Sequence, residues 1–86
     1  MSTYDDLSQE WPNDEQLRML HDLQVGKRFV VNGERHIFEL AEIRYPIEMQ
    51  PILVCWEMEG PSRNPTKRMR RAFPLSKLLR VVPPDA

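Results

Sequence analysis

The sequence is poor in the residues on which several kinds of function depend. It holds one cysteine, Cys55, so no internal disulfide can form. His21 and His36 stand apart from that cysteine without ligand spacing, which leaves too few donors for a structural zinc. Three scattered glycines supply no phosphate-cradling loop. The expectation is accordingly no metal and no cofactor. The longest uninterrupted apolar run, Ile52–Trp56, is five residues, whereas a membrane span needs roughly 20. With no secretory leader legible either, the expected setting is the reducing cytoplasm, away from membranes.

Catalytic groups are equally sparse. Cys55 sits between Val54 and Trp56 in an apolar strand, where nothing nearby in sequence lowers a thiol pKa. His36, beside Arg35, reads as a half-exposed strand residue, and no carboxylate stands in an apolar setting that would raise its pKa. The chain is expected to be non-enzymatic, with no catalytic residue.

Eighty-six residues enclose one core. Eight prolines against three glycines point to strands bounded by stiff loops rather than to long helices. The formal charge of −1 conceals a gradient. Residues 1–25 carry six acids and one base, residues 26–60 six acids and four bases, and residues 61–86 one acid and seven bases. Such a basic end either meets an anionic partner or is neutralised within the fold by the acidic part.

Residues 1–12 read as a flexible arm, residues 13–82 as a single domain, and residues 83–86 as a tail after Pro83. Asn13, with Gln16 three residues on, forms the pattern of a capping box. Met19, Leu20 and Leu23 then make the apolar stripe of a helix, which Gly26 is placed to stop. Asn32-Gly33, between Lys27–Val31 and Glu34–Tyr45, predicts a tight hairpin with a type I′ turn. The apolar residues of Glu34–Tyr45 do not alternate cleanly, which predicts a long bent strand with a bulge. Ile52–Glu59 alternates, with Ile52, Val54, Trp56 and Met58 on one face, and Trp56 is assigned to the core. Lys67–Phe73 forms a fourth strand. Ser76–Leu79 suits one short helical or 3-10 turn, and Arg80–Val82 a closing strand.

The predicted core comprises Leu20, Leu23, Phe29, Val31, Ile37, Leu40, Ile43, Val54, Trp56, Met58, Met69, Phe73, Leu78 and Val81. Trp56→Ala is expected to unfold the domain. In element order, and in the segment Pro74-Leu-Ser-Lys-Leu-Leu-Arg-Val-Val82, the chain resembles the SH3-like small barrels of the Tudor and KOW type over about residues 26–82. The resemblance implies a five-stranded antiparallel barrel, and with the N-terminal helix read from the residues before it the expected fold is mainly β (α+β). It carries no functional motif.

The most informative functional feature is the basic cluster Arg63, Lys67, Arg68, Arg70 and Arg71, followed by Lys77. Arginine suits bidentate phosphate contacts, so these six residues are the candidate site for DNA or RNA, with Arg68 and Arg70 expected on one strand face. The opposing reading makes the cluster a charged edge strand neutralised by Glu57 and Glu59, in a protein that acts as an adaptor or inhibitor of a protein partner. Trp11, Ile47 and Met49 are the candidate anchors for that partner. A sheet edge could also form a dimer, and an aromatic cage of Phe38, Tyr45, Trp56 and Phe73 is set below the reading of Trp56 as core.

Overall fold

The computed structural model describes residues 10–61 and 63–83. Nine residues of the expected arm, and all of the expected tail except Pro83, lie outside that range. Helix α1 (Asp14–Leu20) leads into five strands: β1 (Arg28–Val31), β2 (Ile37–Arg44), β3 (Ile52–Glu59), β4 (Thr66–Pro74) and β5 (Leu78–Val82). A 3-10 turn at Leu75–Lys77 joins the last two. The fold is mainly β. All pairings are antiparallel, in the order β4-β3-β2-β1-β5, which leaves β4 and β5 as the edges of one sheet among the described residues.

The capping box closes as its spacing predicts. Gln16 N donates to Asn13 Oδ1 at 2.8 Å, and Asn13 N to Gln16 Oε1 at 2.9 Å. Gln16 also uses its amide nitrogen to donate to the Ser76 and Leu78 carbonyls, at 2.6 and 3.1 Å. One side chain thus starts the helix and ties it to the 3-10 turn and β5. The helix is only seven residues long and buries no residue fully, so it depends on that attachment and on Met19 and Leu20 packing against the core. Gly26 is not its cap. Its left-handed φ of +94° belongs to the turn before β1, where its N–H donates to the Leu40 carbonyl at 2.9 Å.

The first hairpin departs from the two-residue turn expected at Asn32-Gly33. Only Gly33 has positive φ, +85°, and Glu34 N donates to the Val31 carbonyl. A positive φ at the third residue of such a turn is the type II pattern, not type I′. The strands then resume pairing at Val30↔Ile37. The bulge expected in β2 is present as a register shift between Leu40 and Glu42, and it returns Ile43 to the side of Phe38 and Leu40.

The core is built on one face of the sheet. Phe29, Phe38, Leu53, Cys55, Leu75 and Leu78 are fully or almost fully buried. Phe38 and Phe73 meet edge to face at a centroid distance of 4.8 Å, and Phe29 stacks near Phe38. This corrects the parity expected for β3. Leu53, Cys55 and Glu57 face the main core, while Trp56 lies on the other side, half-buried. Ile37, Val54, Met58 and Met69 likewise fall outside the core cluster, and Phe38, Leu53, Cys55 and Leu75 join it. Alternation was ambiguous because β3 is apolar on both faces, and Ile52 and Met58 are buried too.

Phe38→Ala should therefore cost about 3–5 kcal/mol, the usual effect of truncating a buried Phe. Trp56→Ala should cost clearly less and leave a folded domain. Urea denaturation of the two variants checks this ranking, and a Trp56→Ala variant less stable than Phe38→Ala would reverse it.

Candidate nucleic-acid interface

The candidate residues sit on β4 and on the loop that joins it to β3, and a second bulge sorts them. Glu57 pairs with Met69 while the next residue, Met58, pairs with Lys67, so Arg68 is an extra residue in β4. In a regular strand, residues three apart point to opposite faces. The extra residue instead places Lys67 and Arg70 on the same face, across from Met58 and Trp56. Arg68 is turned to the other face. The expected sharing of one face by Arg68 and Arg70 does not occur, and the bulge is the reason.

On the inner face the charges are satisfied. Glu57 is 1% exposed. It accepts hydrogen bonds from Arg68 Nη1 and, at 2.6 Å, from Arg71 Nη1. Arg71 Nη2 lies 3.2 Å from Glu34, and Arg68 Nε 3.8 Å from Glu59. The Arg71 guanidinium also lies over the Phe73 and Phe38 rings, 4.9 and 5.7 Å from their centroids. His36 Nδ1 stands 3.9 Å from the Glu57 carboxylate. The hydrogen bond from Arg68 does most to hold the Glu57 carboxyl below its ordinary value. Arg71 and the charge interactions of His36 and Arg68 add to it, against the opposing effect of burial. The same pairing pushes Arg68 further up. Arg68 and Arg71 are thus committed to the fold.

The outer face differs. Lys67 Nζ lies 5.3 Å, and Arg70 Cζ 5.1 Å, from the Trp56 ring. No carboxylate among the described residues lies within ion-pair distance of Lys67, Arg70 or the exposed loop residue Arg63. Lys77 is elsewhere. It follows β4 on the 3-10 turn, half-buried, with its carbonyl accepting from Asn32 N. Cross-strand pairing carries the outer face further, through Arg70–Trp56–Glu39–Arg28–Val82. Arg28 is balanced by Glu39 at 3.5 Å. Sequence reasoning missed Trp56 in this role, because its apolar neighbours at spacing two imitate a core stripe.

The proposed cage does not assemble. Phe38 and Phe73 are buried together, Trp56 is on the opposite face, and Tyr45 is exposed beyond the end of β2. Cys55 is fully buried with its Sγ 3.6 Å from the Arg71 carbonyl, and burial pushes the thiol up to about 12 despite the nearby Arg71 and Arg70 charges. Among the described residues, no group of three His, Cys, Asp or Glu side chains could hold a metal ion. No described helix is long and apolar enough to cross a membrane. No family model, curated protein or solved structure matches the chain.

Two measurements follow from this geometry. Cys55 should resist a thiol reagent such as dithionitrobenzoate at pH 8 in the native state and react on addition of denaturant; fast native labelling would contradict its burial. A carboxyl whose pKa is lowered by folding contributes stability above its ordinary value, here 4.5, and loses that contribution as pH falls through the lowered pKa. The stability difference between wild type and Glu57→Gln should therefore be largest above about pH 4.5 and shrink below it. A difference constant with pH would count against the Glu57 clasp.

Proposed function

We propose that this chain is a non-enzymatic nucleic-acid-binding module that takes phosphates on Arg63, Lys67 and Arg70. The observation that carries the reading is the pair of cations held over Trp56 without a carboxylate partner. A guanidinium stacked on an aromatic ring keeps its N–H edge free for two phosphate oxygens, and the ring limits the side-chain freedom that binding would otherwise remove. Arg68 and Arg71 remain with Glu57 and support the surface from beneath. Lys77 lies off the hairpin and is left out of the interface. We read the fold as an SH3-like small barrel. The bulge in β2, the 3-10 turn before β5 and the strand order support that reading.

The second reading is an adaptor or inhibitor of a protein partner. It is favoured by the apolar side chains of Ile47, 90% exposed, Tyr45 and Met49 around the β2–β3 loop, and by exposed Trp11. Such residues anchor protein interfaces.

Fluorescent single- and double-stranded oligonucleotides, titrated at about 50 mM salt, decide between the two. Wild type should bind. Lys67→Glu/Arg70→Glu should weaken binding at least about ten-fold with an unchanged circular dichroism spectrum, and Lys77→Glu should change it little. No binding by wild type at this salt would overturn the nucleic-acid reading and direct the search to the Ile47 loop.

A further inference from the structure

A groove of about 640 Å³ opens beside this surface, and its lining has two characters. Its apolar lining includes Ile37, Met58 and Val82. Its polar wall presents Lys27, Arg28 and Arg35 against one carboxylate, Glu59. Glu59 already faces Arg68, and Arg28 faces Glu39. Lys27 and Arg35 have no carboxylate among the described residues within ion-pair distance. The groove therefore combines unneutralised positive charge with a patch that water solvates poorly.

The groove is also continuous with the basic hairpin. Gly60 and Pro65, which line it, belong to the β3–β4 loop that carries Arg63. Met58 in its lining is paired with Lys67, and Arg28 belongs to the cross-strand row that begins at Arg70 and Trp56. The surface of Arg63, Lys67 and Arg70 thus adjoins the groove that Lys27 and Arg35 line.

Resting on the nucleic-acid reading, we propose that the groove makes this module selective for single strands: unpaired bases lie on Ile37, Met58 and Val82 while the flanking phosphates meet Lys27 and Arg35. In a duplex the flat apolar faces of the bases are stacked on one another and only their edges are exposed, so a duplex offers nothing to an apolar floor. An unpaired strand offers both base faces and phosphates; sequence-tolerant single-strand sites commonly join a basic groove to aromatic platforms, and here the aliphatic side chains of Ile37, Met58 and Val82 stand in the platform's place. The charge of the wall selects an anion, and the floor selects an anion with apolar planes.

The test uses the full chain with three probes of equal length, about 12 units: oligothymidylate, the same phosphodiester chain without bases, and a duplex. Wild type should bind oligothymidylate at least about ten-fold more tightly than either of the others. Ile37→Asn, a neutral change at a partly exposed strand position, should remove that preference while leaving affinity for the abasic chain within about two-fold. Lys27→Ala/Arg35→Ala, both surface changes, should weaken oligothymidylate several-fold with the fold intact by circular dichroism. Equal binding of oligothymidylate and the abasic chain, or preference for the duplex, would overturn the groove assignment while leaving the phosphate surface of Lys67 and Arg70 standing. Absence of binding to all three probes would remove both. Displacement of the oligonucleotide by an oligoglutamate peptide of equal charge, at equal concentration, would also overturn the proposal and give the groove to an acidic polypeptide.

Discussion

The Glu57 carboxylate, buried between Arg68 and Arg71, is the constraint from which the rest of the sheet follows. A carboxylate can be withdrawn from water only where its charge and lone pairs are answered, and the two guanidinium groups answer both. With Glu57 turned inward, Leu53 and Cys55 must turn inward as well, and Trp56 must turn outward, because strand residues alternate. The clasp does more for register than for net stability. Desolvating an ion pair consumes much of its attraction, but a one-residue slip of β3 would carry Glu57 away from both arginines and Trp56 into the core. Arg71 adds to the same specificity by lying over Phe38 and Phe73, which ties the charged cluster to the aromatic centre of the core.

The bulge at Arg68 is the other half of this arrangement. Without the extra residue, Lys67 and Arg70 would point to opposite faces. With it, one guanidinium reaches down to Glu57 while two cations are delivered to Trp56. A single irregularity thereby divides a basic strand into arginines paired with Glu57 and cations that have no carboxylate within ion-pair distance among the described residues. Internal neutralisation describes the inner side of β4, where Arg68 and Arg71 meet Glu57; the external anion is our proposal for the other side.

Much of the architecture was legible in the chain. The capping box at Asn13 and Gln16, the strand Ile52–Glu59, the bulge in β2 and the 3-10 turn before β5 all rest on local signals that tertiary structure had no reason to override. The failures came where the deciding interaction was distant in sequence. Trp56 looked like core because Ile52, Val54 and Met58 recur with it at spacing two, and the arginines that make a buried Glu57 tolerable are 11 and 14 residues away. The bulge at Arg68 has no glycine or other local mark. Lys27 and Arg35 gave no signal at all, since they join the β4 surface only through the pairing of three other strands.

If Arg63, Lys67 and Arg70 take phosphates as we propose, binding of the wild-type protein to a single-stranded oligonucleotide weakens steeply in a salt titration. Each phosphate neutralised on a single strand contributes about −0.7 to the slope of log affinity against log salt. Arg63, Lys67 and Arg70, with Lys27 and Arg35 engaged as well, should give a slope of roughly −2 to −3.5. A slope near zero, with binding retained at high salt, would contradict the account, because it would mean that these cations meet no phosphate.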